Sequence, residues 1–202
     1  MTLAEARRMF ATKPTARVLA LYLAVTAVAR IAVGRLTWVD AAVAGGILAF
    51  EPFTEWLVHV HVLHSPRNSS LARKHRDHHA DPRDLDILFI PMYVVALAPL
   101  VGIGVPLLLQ ADLGVALTAG LTGFSMLLVY EWTHFLIHTP YRPKSKLYAR
   151  IRRAHIWHHF RSEHHWFGVT IHIADRVLGT YPDKDAVPLS PTPGACTQIP
   201  DK

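Results

Sequence analysis

Four apolar runs separated by short polar breaks fill most of the first 140 positions of this 202-residue chain. They cover about residues 18–33 (VLALYLAVTAVARIAV), 39–60 (VDAAVAGGILAFEPFTEWLVHV), 87–109 and 113–137. A helix needs about 20 apolar residues to cross a hydrocarbon core of about 30 Å. The pattern therefore predicts an all-α integral membrane protein with about four transmembrane helices in two hairpins. The first run is the shortest and carries Arg30 near its far end, where a long side chain can snorkel to the interface. The second turns polar as it ends. Only QAD, residues 110–112, separates the third from the fourth, which reads as a tight helical hairpin. Beyond 138 the chain is too polar to cross again and is expected to form a helical cap. The end of the chain (PLSPTPGACTQIPDK) is rich in Pro, Ser, Thr and Gly without periodicity. This divides the sequence into one membrane domain, 1–183, and an unstructured tail, 184–202.

Four crossings put the N-terminal lead, residues 61–86 and everything after 138 on one side. Those regions hold 4, 5 and 10 of the 21 Lys and Arg residues, and only Arg30 and Arg35 lie elsewhere. The positive-inside rule makes that side cytoplasmic, together with both termini. The formal net charge of +6 is then explained by topology and attraction to anionic lipid, so nucleic acid is set aside as a partner. The runs RNSSLARKHR and RPKSKLYARIRR fit either a phosphate-rich membrane surface or solvated positive loops. About 17 residues of basic lead precede the first run, with no clear small-residue cleavage site after it, so it reads as a retained helix. Cys196, the single cysteine, leaves no intrachain disulfide and no thiolate metal site.

Histidine is the anomaly, at 14 residues against 15 acidic ones. The chain shows a duplicate. One half runs EWLVHVHVLH (55–64) and then HRDHH (75–79); the other runs EWTHFLIH (131–138) and then HIWHH (155–159). On a helix each HxxHH stacks its imidazoles on one face. Crowded imidazolium ions repel one another, whereas neutral imidazole is the commonest metal ligand. His134 and His138 share a helix face. His59 and His64 are about 140° apart on a regular helix, so either the helix ends between them or they serve different metals. Ten histidines at four to six ligands per ion point to two metals, with the three in HIWHH divided between them and Ile156 and Trp157 turned away. Glu55 and Glu131, expensive near apolar surroundings, read as partners orienting His59 and His134, or as ligands. Trp56 and Trp132 read as interfacial anchors. His61, His164, His165 and His172 fall outside the duplicate. A non-enzymatic metal carrier remains an alternative, but a transporter places its ligands near the bilayer midplane, and here they gather at one side.

These residues resemble the integral-membrane fatty acid hydroxylase and sterol desaturase superfamily, whose signature is an ordered series of H-x4-H, H-x2-HH, H-x3-H and H-x2-HH boxes around two irons. Here the boxes are HVHVLH, HRDHH, HFLIH and HIWHH. YEWTHFLIH and WFGVTIHIADRVLGTYP also resemble family segments, and the likeness covers about residues 50–183. Against the fatty acid 2-hydroxylases, His61 replaces a frequent Arg, Glu131 an Asp, and Ala174 a Trp before Asp175. The resemblance implies that His59, His64, His75, His78, His79, His134, His138, His155, His158 and His159 bind two iron ions, or zinc in a purified form, with Glu55, Glu131 and Asp175 supporting them. It further implies an oxidoreductase that uses O2 to hydroxylate or desaturate a membrane lipid, most simply a fatty acyl chain. Electrons would come from a ferredoxin or cytochrome-type reductase. A carotenoid ring hydroxylase shares such boxes and is the neighbouring alternative.

Overall fold

The computed structural model describes residues 1–189; residues 190–202, with Cys196 and most of the expected tail, lie outside the described residues. Among the described residues every regular element is helical: α1 (Leu3–Thr12), α2 (Pro14–Val33), α3 (Trp38–Val58), α4 (Ser70–Ala80), α5 (Met92–Pro99), α6 (Val105–Leu108), α7 (Leu113–Ile137), α8 (Lys146–Phe160) and α9 (Ile173–Val177). Local chemistry sets their ends. Thr2 and Glu5 form a reciprocal capping box at the start of α1, each side chain accepting the other's backbone N–H. Pro14 opens α2 at a position where its missing N–H costs nothing, and Gly34 closes it at φ +76°. Ser69 and Ser145 cap α4 and α8 by accepting the amides of Ala72 and Tyr148.

Among the described residues, three helical spans are long and apolar enough to cross a membrane: Pro14–Val33, Trp38–Leu63 and Leu113–Ile137. The expected run 87–109 falls short. Its helical part is Met92–Leu108, about 26 Å long at 1.5 Å per residue, against a core of about 30 Å. Residues 87–91 are not helical. Pro99 has no N–H to continue the ladder, and the backbone widens directly after it into a π-turn, Leu100–Gly104. The QAD connection is tight as expected, with Gln110 at φ +67° and the Asp112 carboxylate accepting the Val115 amide at the head of α7.

The described chain forms two compact units. One comprises Arg7–Glu51 and Phe89–Trp132. Within it α7 approaches the π-turn so closely that a Cβ on Gly120 would collide with Ile103. Arg30 does not snorkel. It is 6% exposed and pairs with Asp40 at 3.0 Å, while also donating to the Thr118 hydroxyl and the Arg35 carbonyl. Asp40 in turn accepts from Thr118, at 2.6 Å, and from the Thr37 amide and hydroxyl. One polar knot thereby ties α2, α3 and α7 with its charges compensated, as burial requires.

The other unit comprises Met1–Ala6, Pro52–Leu88 and the chain from Thr133 onward, and it contains all 14 histidines. Its core includes Ala154, Trp166 and Val187, with Trp157 and Tyr181 packed against them. Part of the expected tail belongs here. Lys184–Ala186 forms a 3-10 turn, Val187 is buried, and its carbonyl accepts from Arg161 Nε at 2.8 Å.

Replacing Asp40 by Ala strands a buried guanidinium and is expected to lower stability by about 3–5 kcal/mol. The double variant Arg30→Met/Asp40→Ala should recover most of that loss. Thermal unfolding of both variants in detergent compares them.

Candidate metal centre

Four helical segments carry the box histidines. α4 presents His75 and His79 one turn apart with His78 between them, and α8 repeats this with His155, His159 and His158. At the end of α7, His134 and His138 are joined by an i→i+4 backbone bond of 3.3 Å. α8 is tied to that end by the Tyr148 hydroxyl donating to the Thr133 carbonyl. The last pair behaves differently. α3 runs without a break into a π-turn, His59–Leu63, closed by the His64 amide on the His59 carbonyl at 3.0 Å. An i→i+5 turn brings residues five apart onto one face, and the two imidazoles stack with centroids 5.1 Å apart. The helix neither ends between them nor sends them to different places, so the regular-helix expectation is corrected.

Among the described residues, these ten histidines form two groups in which each residue offers a ligand atom within 4.8 Å of the others. Group A is His59, His64, His75, His79 and His158; group B is His78, His134, His138, His155 and His159. Each HxxHH gives its first and last histidine to one group and its middle one to the other. HIWHH is thus split, with His158 in group A and His155 and His159 in group B. The groups touch where the equivalent residues His79 and His159 stack at 4.2 Å. Trp157 points elsewhere, against Trp166 at 5.5 Å.

The separations identify what the groups fit. His75 Nε2 lies 3.1 Å from the Nε2 atoms of His59, His64 and His79. His155 Nε2 lies 3.1 Å from that of His138 and 3.0 Å from that of His159. One neutral imidazole nitrogen carries either a proton or a lone pair, so it cannot make three such hydrogen bonds at once. Ligands at right angles around an ion about 2.1 Å away lie about 3.0 Å apart, whereas tetrahedral ligands lie about 3.4 Å apart. The spacing fits ligands set at right angles better than a tetrahedral set. In group B both ring nitrogens of His78 are buried without a hydrogen-bond partner among the described residues, and an ion would satisfy the one that carries the lone pair.

Burial also sets the charge state. It pushes His64 down to about 3, with His59 and His164 adding repulsion, and His78 down to about 4, with Lys74 adding to it. His75, His79, His138, His155, His158 and His159 are held well below the usual imidazole range, first by burial and then by neighbouring imidazoles. The rings are therefore neutral near pH 7, the form that binds metals. Three carbonyls hold them: Phe167 accepts from His59 Nδ1 at 2.6 Å, His165 from His158 Nδ1 at 2.8 Å, and Pro82 bonds His138.

Glu55, Glu131 and Asp175 belong to neither group. Glu55 accepts the amides of Val169 and Thr170 and the Thr170 hydroxyl. Asp175, fully buried, accepts the amides of Phe167 and Gly168 and the Thr180 hydroxyl. Glu131, also buried, accepts the Ile90 amide at 2.7 Å. Trp56 donates to Thr180, and Trp132 meets Phe10 edge-on. His61 and His164 are exposed, and His172 is buried 5.0 Å from Tyr181, apart from both groups. Sequence reasoning missed Phe167, Thr170 and Thr180, and the carbonyls of Pro82 and His165. A backbone carbonyl has no side-chain signature, and the only pointer was the WFGVTIHIADRVLGTYP segment.

Residues 44–180 match the model of the fatty acid hydroxylase family. Among curated proteins, the dihydroceramide fatty acyl 2-hydroxylase FAH2 of Arabidopsis thaliana is 30% identical over 147 residues, which cover 69% of this chain and 60% of that protein. FAH1 of the same plant is 29% identical over 143 residues, covering 66% and 58%. The chain thus spans about three-fifths of the length of these relatives. A solved structure described as full-length Scs7p, with only its hydroxylase domain visible, shares the fold at a TM-score of 0.64 and 22% identity, covering 86% of this chain and 66% of that one.

A pH dependence follows from the depressed imidazoles. The folded state takes up their protons only far below the usual value near 6.5, and the unfolded chain takes them up at that value. The unfolded state therefore binds more protons as pH falls from about 6.5 towards the folded values of about 4 for His78 and about 3 for His64. The metal-free protein should lose stability steadily across that window. Thermal melts from pH 7 to pH 5 in the presence of a chelator measure the slope.

Proposed function

The chain belongs to the fatty acid hydroxylase family, and from that premise we propose that it is a membrane-bound, O2-dependent di-iron enzyme that hydroxylates a fatty acyl chain of a lipid at carbon 2. The observation that carries this reading is the convergence of ten imidazoles into two contiguous groups of five. The names of the plant relatives supply the substrate class and the position of attack. In the reaction, one oxygen atom of O2 enters the C–H bond and the other leaves as water. Two electrons and two protons complete the balance, the electrons coming from a ferredoxin or cytochrome-type donor.

Two irons would be held by groups A and B, and when bound they supply the O2 and one-electron chemistry that an unactivated C–H bond demands and side chains lack. The chain's own residues prepare that site. Hydrogen bonds from Nδ1 of His59 and His158 to backbone carbonyls leave the lone pair of each ring on Nε2, the atom facing its group. Phe167 lies 5.3–5.7 Å from the rings of His59, His64 and His158, and excludes water from that side of group A. Neutral, buried rings present ligands without a competing proton near pH 7. The uneven distribution of Lys and Arg supports a cytoplasmic location for the histidines, where a soluble electron donor has access.

Expression in a host that lacks 2-hydroxylated lipids should produce acyl chains one oxygen atom heavier, with the hydroxyl at carbon 2 by fragmentation mass spectrometry. The double variant His158→Ala/His159→Ala takes one ligand from each group and should lose both the product and the bound iron. New double bonds or hydroxylated carotenoids in place of hydroxyacyl chains would refute the substrate assignment. Full iron retention in the variant would refute the site.

A further inference from the structure

Two carboxylates and one short loop stand beside group A without belonging to it. We propose that residues 165–170, clamped by Glu55 and Asp175, form a positioning element for group A alone, orienting His59 and His158 so that this group binds its ion separately from group B. The proposal rests on the dimetal reading and adds that the two sites are separable.

The loop reaches group A through two carbonyls only two residues apart. His165 accepts from His158 Nδ1 and Phe167 from His59 Nδ1. These two imidazoles come from opposite halves of the duplicate, α8 and the end of α3, and the loop is their common partner. In group B the carbonyl that holds His138 comes from Pro82, outside the loop.

Everything around the two carbonyls fixes their direction. Trp166, between them, has φ +57°, a conformation unfavourable for a bulky residue. It is held there by its amide on the Thr180 carbonyl at 2.8 Å and its indole N–H on Pro182. Asp175 gathers the amides of Phe167 and Gly168 at 2.9 and 2.7 Å, and Glu55 gathers those of Val169 and Thr170. Four consecutive N–H groups thus end on two carboxylates. The clamp leaves no room at Gly168, where a Cβ would sit 2.6 Å from the Ile171 carbonyl oxygen and 2.9 Å from Asp175 Oδ2. Glu55 lies one turn before His59 on α3, so helix, carboxylate, loop, carbonyl and imidazole close into a ring of contacts. Loosening either carboxylate turns the carbonyls, and with them two of the five ligands of group A.

The test uses the full chain in detergent, stripped of metal and titrated with Co(II) against a competing chelator. Wild type should bind two ions per chain. Glu55→Gln and Asp175→Asn should each keep one ion at wild-type affinity and weaken the other by about 10–100-fold, with helix content unchanged by circular dichroism. His78→Ala, which removes a group B ligand, should weaken the other ion, and Glu55→Gln/His78→Ala should weaken both. Equal weakening of both ions in the carboxylate variants, or no weakening, overturns the proposal. Fewer than two ions in the wild type would overturn the dimetal reading instead. Should Asp175→Asn fail to fold, Glu55→Gln, at a half-buried position, decides the question alone.

Discussion

Ten imidazole nitrogens must be gathered with their lone pairs inward, in a place largely without water, and the histidine-bearing unit is shaped by that demand. A nitrogen 3.1 Å from three others, as in His75, cannot be satisfied by hydrogen bonds among imidazoles. The rings must stay neutral, and they must be turned correctly before anything binds. Burial meets the first condition by penalising the imidazolium. Backbone carbonyls meet the second wherever Nδ1 has one to donate to. The serine caps that start α4 and α8 fix where each helix begins, and so which residues face inward two or three turns later.

The crosswise exchange of His78 and His158 follows from helix geometry. On either HxxHH, the first and last residues lie about 40° apart, while the middle histidine lies about 100° from the last. One helix therefore naturally serves two points. Two such helices from a duplicated chain, set so that His79 and His159 stack, complete each other's groups. Neither half contains a full set, so the histidine pattern works only as a pair.

Much of this was legible in the sequence because it depends on spacing. The i, i+3, i+4 pattern of α4 and α8 and the i, i+4 pair of α7 translate directly into shared faces, and three of the apolar runs became long helices. What was not legible depends on backbone departures. Residues 87–91 stay non-helical and shorten the third run, Pro99 is followed by a π-turn within what remains, and nothing in the hydropathy marks either. Arg30 looked like a snorkelling residue because its partner Asp40 lies beyond the helix end and Thr118 is 88 positions away. Glu55 reads from the sequence as a partner of His59 and Asp175 as a support for the ligands, whereas both carboxylates accept amides of a loop, which a string of side chains does not display. Val187 is drawn out of an apparently featureless tail by a hydrophobic pocket that only tertiary packing creates.

The π-turn at the end of α3 bears on how such sites are compared. A helix that must accommodate one extra residue between two anchored points can widen for a single turn and leave both anchors in place. His59 and His64 are separated by one residue more than His134 and His138, yet each pair delivers two imidazoles to one group. Spacings of four and five are thus interchangeable ways of making the same half-site. Aligning the two halves by residue count alone would count as a mismatch what the backbone makes equivalent.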